Sequence, residues 1–360
     1  MKILEIIPSL NSGGAEKFVV DLTNELSRQN HKCILLTLFG LSSKDIFRTL
    51  LSRNVKQDFL NKHLGFDVKC LFNLYKYVYK EKPNVVHAHI GSISYLILPA
   101  LFYRRCKYFA TIHSDAEFEA GKGLHKILRK FLFKCKLVTP ITISEESERS
   151  FERFYAMSGI LIPNGCSEYT FSEPINKDKY RQNIDFLFVH AGRLNNVKNQ
   201  ICLVRAFDKL LKDGVKARLI LLGRKEDEAI YNQISPYFSN NIIYLGEHKD
   251  ARAFINISDA FCLTSSWEGM PITIIEAFSV ACPAIVTPVG GCINMVEDGV
   301  NGFLADDASE DSYYRSLKRF ISLSEDERKQ MKVNALAAYK NKYSIERTCK
   351  DYLKLFSNHL

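Results

Sequence analysis

Short apolar runs rich in β-branched and aromatic residues alternate with longer amphipathic stretches along almost the whole chain. Runs at 3–7, 33–38, 85–87, 108–112 and 138–143, then 186–191, 219–222, 242–245, 260–263 and 284–286, read as strands. Stretches such as 15–29 and 199–212 between them carry helical periodicity. Strands separated by helices pair in parallel through crossovers, so the chain is confined to an α/β architecture with helix-covered parallel sheets. The sequence of strand, glycine loop and helix occurs twice, at Ile7 through Gly13-Gly14 and after Phe186 through Ala191-Gly192-Arg193. With 360 residues the chain is long for one core. Two similar doubly wound domains are expected, 1–170 and 171–342, with the break in 169–176 and a helix at 343–360 packing back on the first.

Composition narrows the function classes. Hydrophobic residues at 46% and charged residues at 25% fit a soluble globular protein, not a disordered one. The apolar run at the amino terminus is too short for a signal peptide. The longest uncharged stretch, 90–103, contains Pro99 and falls short of the ~20 residues a spanning helix needs. A cytoplasmic protein is expected. The ten cysteines contain no C-x-x-C pair and no zinc-ligand spacing, so they read as small reduced core residues.

The net charge of +9 is unevenly spread: residues 1–180 carry 26 Lys/Arg against 18 Asp/Glu, residues 181–360 carry 23 against 22. Within the basic half, 124–136 interleaves apolar and cationic side chains at helical spacing. Such a helix suits an anionic membrane surface, or else packs its apolar side into its own domain. No nucleic-acid-binding motif accompanies the charge.

The motifs gather after strands. Ser265-Ser266-Trp267-Glu268-Gly269-Met270-Pro271-Ile272-Thr273-Ile274-Ile275-Glu276-Ala277 follows the run 260–263 and leads into a helix, with Pro271 in its first turn. Glu268 then lies in the loop and Glu276 in the helix, a little over two turns on, so both carboxylates can face one cleft beside free N–H groups that suit an anion. Glu pairs at this spacing are also common on solvated faces. Gly192-Arg193-Leu194-Asn195-Asn196-Val197-Lys198-Asn199 sets two cations five positions apart in a loop after a strand, where a diphosphate would find charge and backbone donors. Pro8-Ser9-Leu10-Asn11-Ser12-Gly13-Gly14-Ala15-Glu16 opens a helix without a dinucleotide or P-loop fingerprint. His113 ends the run 108–112, whereas His31, His87, His89, His190 and His248 read as structural residues.

Taken together these segments resemble the retaining glycosyltransferases of the GT-B group known as family 4, many of which build bacterial surface polysaccharides. The resemblance spans nearly the whole chain. It is carried by Gly13-Gly14-Ala15-Glu16, Val85-Val86-His87-Ala88-His89, Thr111-Ile112-His113, Ile162-Pro163-Asn164-Gly165, Gly192-Arg193 with Lys198-Asn199, Gly246, Glu268-Gly269 through Glu276-Ala277, Gly290-Gly291 and Asn301-Gly302. Ala281, Asn294 and Cys166-Ser167-Glu168 depart from the family's usual pattern.

The resemblance implies two facing Rossmann-like domains with the site in the cleft between them. Arg193 and Lys198 would grip the donor diphosphate, and Glu276 would accept from the ribose hydroxyls. Glu268 would orient the transferred sugar with the backbone of Gly269, Met270, Pro271 and Ile272. Gly13 and Gly14 would border the pyrophosphate from the opposite domain, and His113 would line the reaction centre.

The expected reaction is metal-independent transfer with retention from a nucleotide-diphosphate sugar, most simply a UDP-sugar, to a glycan or polyprenyl-linked acceptor. No cofactor is expected. The protein cations stand where a D-x-D metal motif is lacking, and the leaving phosphate takes the acceptor's proton. A non-catalytic sugar-nucleotide-binding subunit is a competing reading, as is an epimerase or a pyridoxal-dependent phosphorylase.

Overall fold

The computed structural model describes residues 1–170 and 175–359; residues 171–174, in the expected domain break, lie outside the described residues. The chain forms two compact units, one comprising Met1–Ser167 and the chain from Ile345 onward, the other Glu168–Ser344.

The first unit holds strands β1 (Lys2–Ile7), β2 (Lys32–Thr37), β3 (Lys56–Phe59), β4 (Val85–His89), β5 (Lys107–Ile112), β6 (Thr139–Thr142) and β7 (Ile160–Leu161). They form one sheet in the order β3-β2-β1-β4-β5-β6-β7, every pair parallel. Helices cover the sheet, so Ile3, Leu4, Ile6 and Ile7 of β1 are all buried on alternating sides. The helix Gly14–Arg28 lies against the C-terminal helix Ile345–His359. The latter buries Ile345, Thr348, Cys349, Tyr352, Leu355 and Phe356, a stripe with helical period. Its first N–H donates to Cys166 O at 3.0 Å, and Thr348 Oγ1 donates to Pro163 O at 3.1 Å.

The second unit holds β8 (Phe186–Ala191), β9 (Ala217–Leu222), β10 (Ile242–Gly246), β11 (Ala260–Leu263), β12 (Ala284–Val286) and β13 (Gly302–Leu304), in the order β10-β9-β8-β11-β12-β13 and again wholly parallel. Phe188, Phe207, Tyr313 and Phe320 centre its core, and the enclosed Tyr313 hydroxyl donates to Ile285 O at 2.7 Å.

Both sheets are doubly wound, and each reverses its strand order once, at β1/β4 and at β8/β11. Open α/β sheets take ligands at the carboxyl ends of the strands flanking such a reversal. The fold thereby singles out the loops after Ile7, His89, Ala191 and Leu263.

β3, β7 and β13 escape the sequence reading. β3 is a half-exposed Lys-Gln-Asp-Phe edge without apolar alternation, and β7 and β13 are too short to show a period. All ten cysteines are free thiols; Cys135 is exposed, against the expectation of a core residue. Among the described residues no helix is long and apolar enough to cross a membrane.

Candidate active site

In the second unit the chain leaves β8 at Ala191 and forms a loop that ends at Asn199, whose left-handed backbone (φ 48°) starts the helix Gln200–Lys212. The chain leaving β11 runs alongside it. Thr264 Oγ1 donates to Lys198 O and Asn199 O at 3.2 and 3.0 Å, and Ser266 N–H donates to Val197 O at 2.8 Å. These bonds bring Lys198 Nζ to 2.6 Å from Glu268 Oε1, both side chains being largely buried. The Ser265 hydroxyl donates to the same oxygen at 2.5 Å. Two donors therefore fix one carboxylate oxygen, and among the described residues Oε2 carries no further bond.

The paired glycines press on this loop from behind. Gly290 has φ +49°, and a Cβ there would stand 1.7 Å from Glu268 O; a Cβ on Gly291 would stand 2.2 Å from Gly269 O. Only bare backbone fits, so the glycines set the height of Glu268 and Gly269. Thr287 Oγ1 adds a 2.6 Å bond to Ser265 O.

Pro271 caps the helix Ile272–Ser279 in extended geometry (φ −70°, ψ 111°) and does not lie in its first turn. Having no N–H, it narrows the backbone donors expected over 269–272 to Gly269, Met270 and Ile272. Glu276 is buried one turn into the helix.

Arg193 sits further out. Its Nη1 is 2.9 Å from Glu226 Oε1, Asn195 Nδ2 donates to Glu226 Oε2 at 2.8 Å, and Arg224 Nη2 lies 3.3 Å from Oε1. Burial alone would raise the Glu226 carboxyl, but Asn195 and the two guanidinium groups bring it below the usual range. The sequence reading missed Glu226 and gave Asn195 and Ser265, which lie inside its two loop motifs, no role of their own; Glu226 had only its position in a loop following a strand as a signal. A cavity of about 600 Å³ lined by Arg205, Tyr237, Phe238 and Ile242 lies near the amino end of β10, away from these loops.

In the first unit Gly13 precedes the helix Gly14–Arg28 in extended geometry, with the Glu16 carboxylate over it; Gly14 is exposed. The helix is anchored by a buried pair, Lys17 Nζ to Asp21 Oδ2 at 2.6 Å, and Asp21 also accepts from Ser167 N–H at 3.2 Å. His113 follows β5, and its N–H donates to Glu119 Oε2 at 2.7 Å. Glu119 Oε1 in turn lies 3.3 Å from the enclosed Arg129.

The His113 imidazole reaches inward. Its Nε2 is 2.9 Å from His89 Nδ1, and His89 Nε2 is 2.8 Å from Glu5 Oε2. His87 Nδ1 lies 2.9 Å from the same oxygen but out of line for a hydrogen bond, so that contact is electrostatic. His87 Nε2 meets Thr111 Oγ1 at 2.7 Å, which meets the Tyr352 hydroxyl at 2.9 Å. Burial drives His89 down to about 4 and His113 well below its ordinary value. Burial alone would raise the Glu5 carboxyl, but His87 and His89 outweigh it and bring it to about 2.

Two parallel doubly wound units, one carrying a glycine-backed cation and carboxylate at its strand reversal, define the GT-B class of nucleotide-sugar glycosyltransferases. Residues 12–167 match Glycosyltransferase Family 4 and residues 172–337 match Glycosyl transferases group 1. The chain belongs to this family and is a glycosyltransferase.

It is 30% identical over 273 residues to the UDP-Gal:alpha-D-GlcNAc-diphosphoundecaprenol alpha-1,3-galactosyltransferase of Escherichia coli, covering 70% of each chain. A Campylobacter jejuni alpha-1,4-N-acetyl-D-galactosaminyltransferase, named for a diNAcBac-PP-undecaprenol-linked acceptor, is 24% identical over 99% of this chain and 98% of its own. HepE of Anabaena, solved in complex with UDP-glucose, shares the fold with a TM-score of 0.80 at 21% identity, covering 99% of this chain and all of that one.

Proposed function

We propose that the protein transfers a sugar from a UDP-sugar, with retention and without a metal ion or other cofactor, to a glycan or undecaprenyl-linked acceptor in surface-polysaccharide assembly. The observation that carries this is Lys198 and Glu268 clasped at the strand reversal of the second unit. When a donor enters, Lys198 turns to the diphosphate with Arg193, and Glu268 turns to the sugar hydroxyls. Glu276 accepts from the ribose, and Gly13 and Gly14, where the helix Gly14–Arg28 starts, border the phosphates once the Glu16 carboxylate moves off Gly13. His113 meets the sugar.

The C1–phosphate bond breaks as the acceptor oxygen bonds C1 on the same face, and the acceptor's proton passes to the departing phosphate oxygen. Purified enzyme in EDTA is expected to keep its turnover; a loss restored only by a divalent metal overturns the metal-free step. Proton NMR of the product is expected to show the donor's anomeric configuration, and inversion overturns retention. Among nucleotide sugars, UDP-sugars are expected to raise the melting temperature most, because binding to the folded state stabilises it.

The acceptor's lipid carrier agrees with a surface of the first unit. In the helix Leu124–Lys134, Arg129, Leu132 and Phe133 face inward. Leu124, Ile127 and Phe131 form an outward stripe at 46, 64 and 43% exposure, with Phe118 nearby in sequence at 84%. Lys126, Lys130 and Lys134 run beside that stripe at four-residue intervals with no acidic residue within the helix, Lys126 Nζ lying 3.2 Å from Glu117 Oε1 of the preceding segment. We infer that this face rests on the anionic inner leaflet. Vesicles containing phosphatidylglycerol are expected to sediment the protein, and Ile127→Glu to release it; equal binding to neutral vesicles overturns the charge-guided docking.

A further inference from the structure

The proton positions along the buried imidazoles of the first unit follow from the carboxylate at their inner end. Glu5 on β1 stands in register with His87 on β4, and His89, two residues on, shares the same face. Glu5, His87 and His89 are wholly enclosed. An ionised carboxylate can only accept. With Glu5 held ionised and His89 held neutral by their surroundings, the single N–H of His89 must be on Nε2, pointing at Glu5 Oε2 2.8 Å away.

His89 Nδ1 is then a bare lone pair. The proton in the 2.9 Å contact between the two rings therefore belongs to His113 Nε2. A neutral His113 that carries its proton there has none on Nδ1, the ring atom that is shielded from water and lacks a partner. A buried acceptor without a donor is a costly arrangement, which a ligand hydroxyl relieves once the groups covering Nδ1 move aside.

The local backbone holds this geometry. His89 N–H donates to Ser92 Oγ at 3.1 Å. The next residue, Ile90, has φ +52°, a conformation disfavoured for a β-branched side chain, and its carbonyl is taken by the enclosed Arg129 guanidinium. Glu5, His87 and His89 are also close enough to share an ion, their ligand atoms lying within 4.8 Å of one another. Both ring nitrogens of His89 are already engaged by His113 and Glu5, whereas Glu5 Oε1 and His87 Nδ1 have no hydrogen-bond partner among the described residues.

We propose that Glu5 and His89 are positioning residues that lock His113 in its Nε2–H form, so that Nδ1 is an obligate acceptor for a hydroxyl of the sugar substrate. The hydroxyl contact rests on the proposed function; the tautomer does not. In protein labelled with ¹⁵N-histidine near neutral pH, long-range proton–nitrogen correlation is expected to show a pyrrole-type Nε2 and a pyridine-type Nδ1 for His113, assigned by the signal lost in His113→Ala. A protonated Nδ1 in the unaltered protein overturns the proposal.

Glu5→Leu removes the anchor and is expected to leave His113 exchanging between tautomers. A single unchanged tautomer overturns the role of Glu5, and His89→Phe gives the same readout if the first variant does not fold. Monodeoxy donors test the contact separately. Removing one particular hydroxyl is expected to lower kcat/KM about three- to tenfold in the unaltered enzyme and to cost His113→Ala nothing further. Equal losses in both would overturn the sugar contact while leaving the tautomer to the spectra.

Discussion

The two units place most of the polar groups at their strand reversals differently, although the second also buries one imidazole there, His190, against Cys262 O of β11. In the first, the chemistry is drawn into the sheet: Glu5, His87 and His89 have no exposed surface, and the imidazoles of His89 and His113 are kept neutral by burial. In the second, the chemistry is carried on loops and charge meets charge, Lys198 with Glu268 largely buried and Arg193 with Glu226 partly exposed. Neutral, dry groups can set direction through proton position, which suits an uncharged sugar. Charged pairs at a loop surface can be parted by a competing anion, which suits a diphosphate. The difference is thus one between a rigid template and an exchangeable clasp.

The clasp stands on backbone packing, so the largest effect is expected behind it. In Gly290→Ala the new methyl group would meet Glu268 O at 1.7 Å in a φ +49° conformation, and either the loop or the glycine turn must move. The expected cost is about 4 kcal/mol or more, with loss of UDP binding. Thermal melting and nucleotide titration check both. A variant that melts and binds like the unaltered protein would mean that the Glu268 loop is not held from behind.

Acid separates the units next. Burial lowers His89, in the first unit, and His190, in the second, to about 4 from an ordinary 6.5. The unfolded chain therefore takes up protons as the pH falls through about 6.5, while these folded sites stay neutral down to about 4. Their stabilisation is fully present above that window and is lost within it, roughly 3 kcal/mol for each. His113 adds to the loss in the first unit. Glu5 stabilises above the ordinary carboxylate range, and that share is lost as the pH falls toward 2.

The first unit is thus expected to unfold at the higher pH. Trp267, the single tryptophan, lies in the second unit. Its fluorescence should change at lower pH than the first part of the circular-dichroism transition, and a tryptophan change that comes first would break the comparison.

What was legible in the sequence follows the same division. The clasp lies on loops close to their strands and announces itself in short motifs, so Arg193, Lys198, Glu268 and Glu276 were all visible as residues worth attention. Their pairing was not. Lys198 and Glu268 are 70 positions apart, and only the strand order β8/β11 brings their loops together. The template was harder to see. Glu5 sits in an apolar run where a lone carboxylate reads as noise, and His87 and His89 read as structural residues, while the β1/β4 register that sets Glu5 against them is not visible in the sequence. The central strands were readable through their apolar runs, whereas the edge strand β3 carries no such pattern and needs its neighbour to define it.

Lys198→Ala opens the clasp directly. It removes a cation from the proposed diphosphate site and leaves Glu268 held by Ser265 alone. A loss of about 10²-fold in kcat/KM is expected, the scale of removing one preorganised charge-stabilising donor. Stopped-assay kinetics with saturating acceptor check it, and unchanged turnover would take Lys198 out of the leaving-group role.

Arg193 gives the smallest and most selective effect. Its side chain is 45% exposed and its partner Glu226 33%, so the ion pair itself contributes little to stability and Arg193→Ala should melt like the unaltered protein. What it removes is a planar donor able to grip two phosphate oxygens, so the KM for the donor should rise about tenfold while the melting curve stays in place. Arg193→Lys keeps the charge and loses the fork, and should recover only part of that tenfold. If Arg193→Ala instead lowered the melting temperature and left KM alone, the guanidinium would be a brace for the Glu226 loop. The second unit's clasp would then consist of Lys198 and Glu268 only.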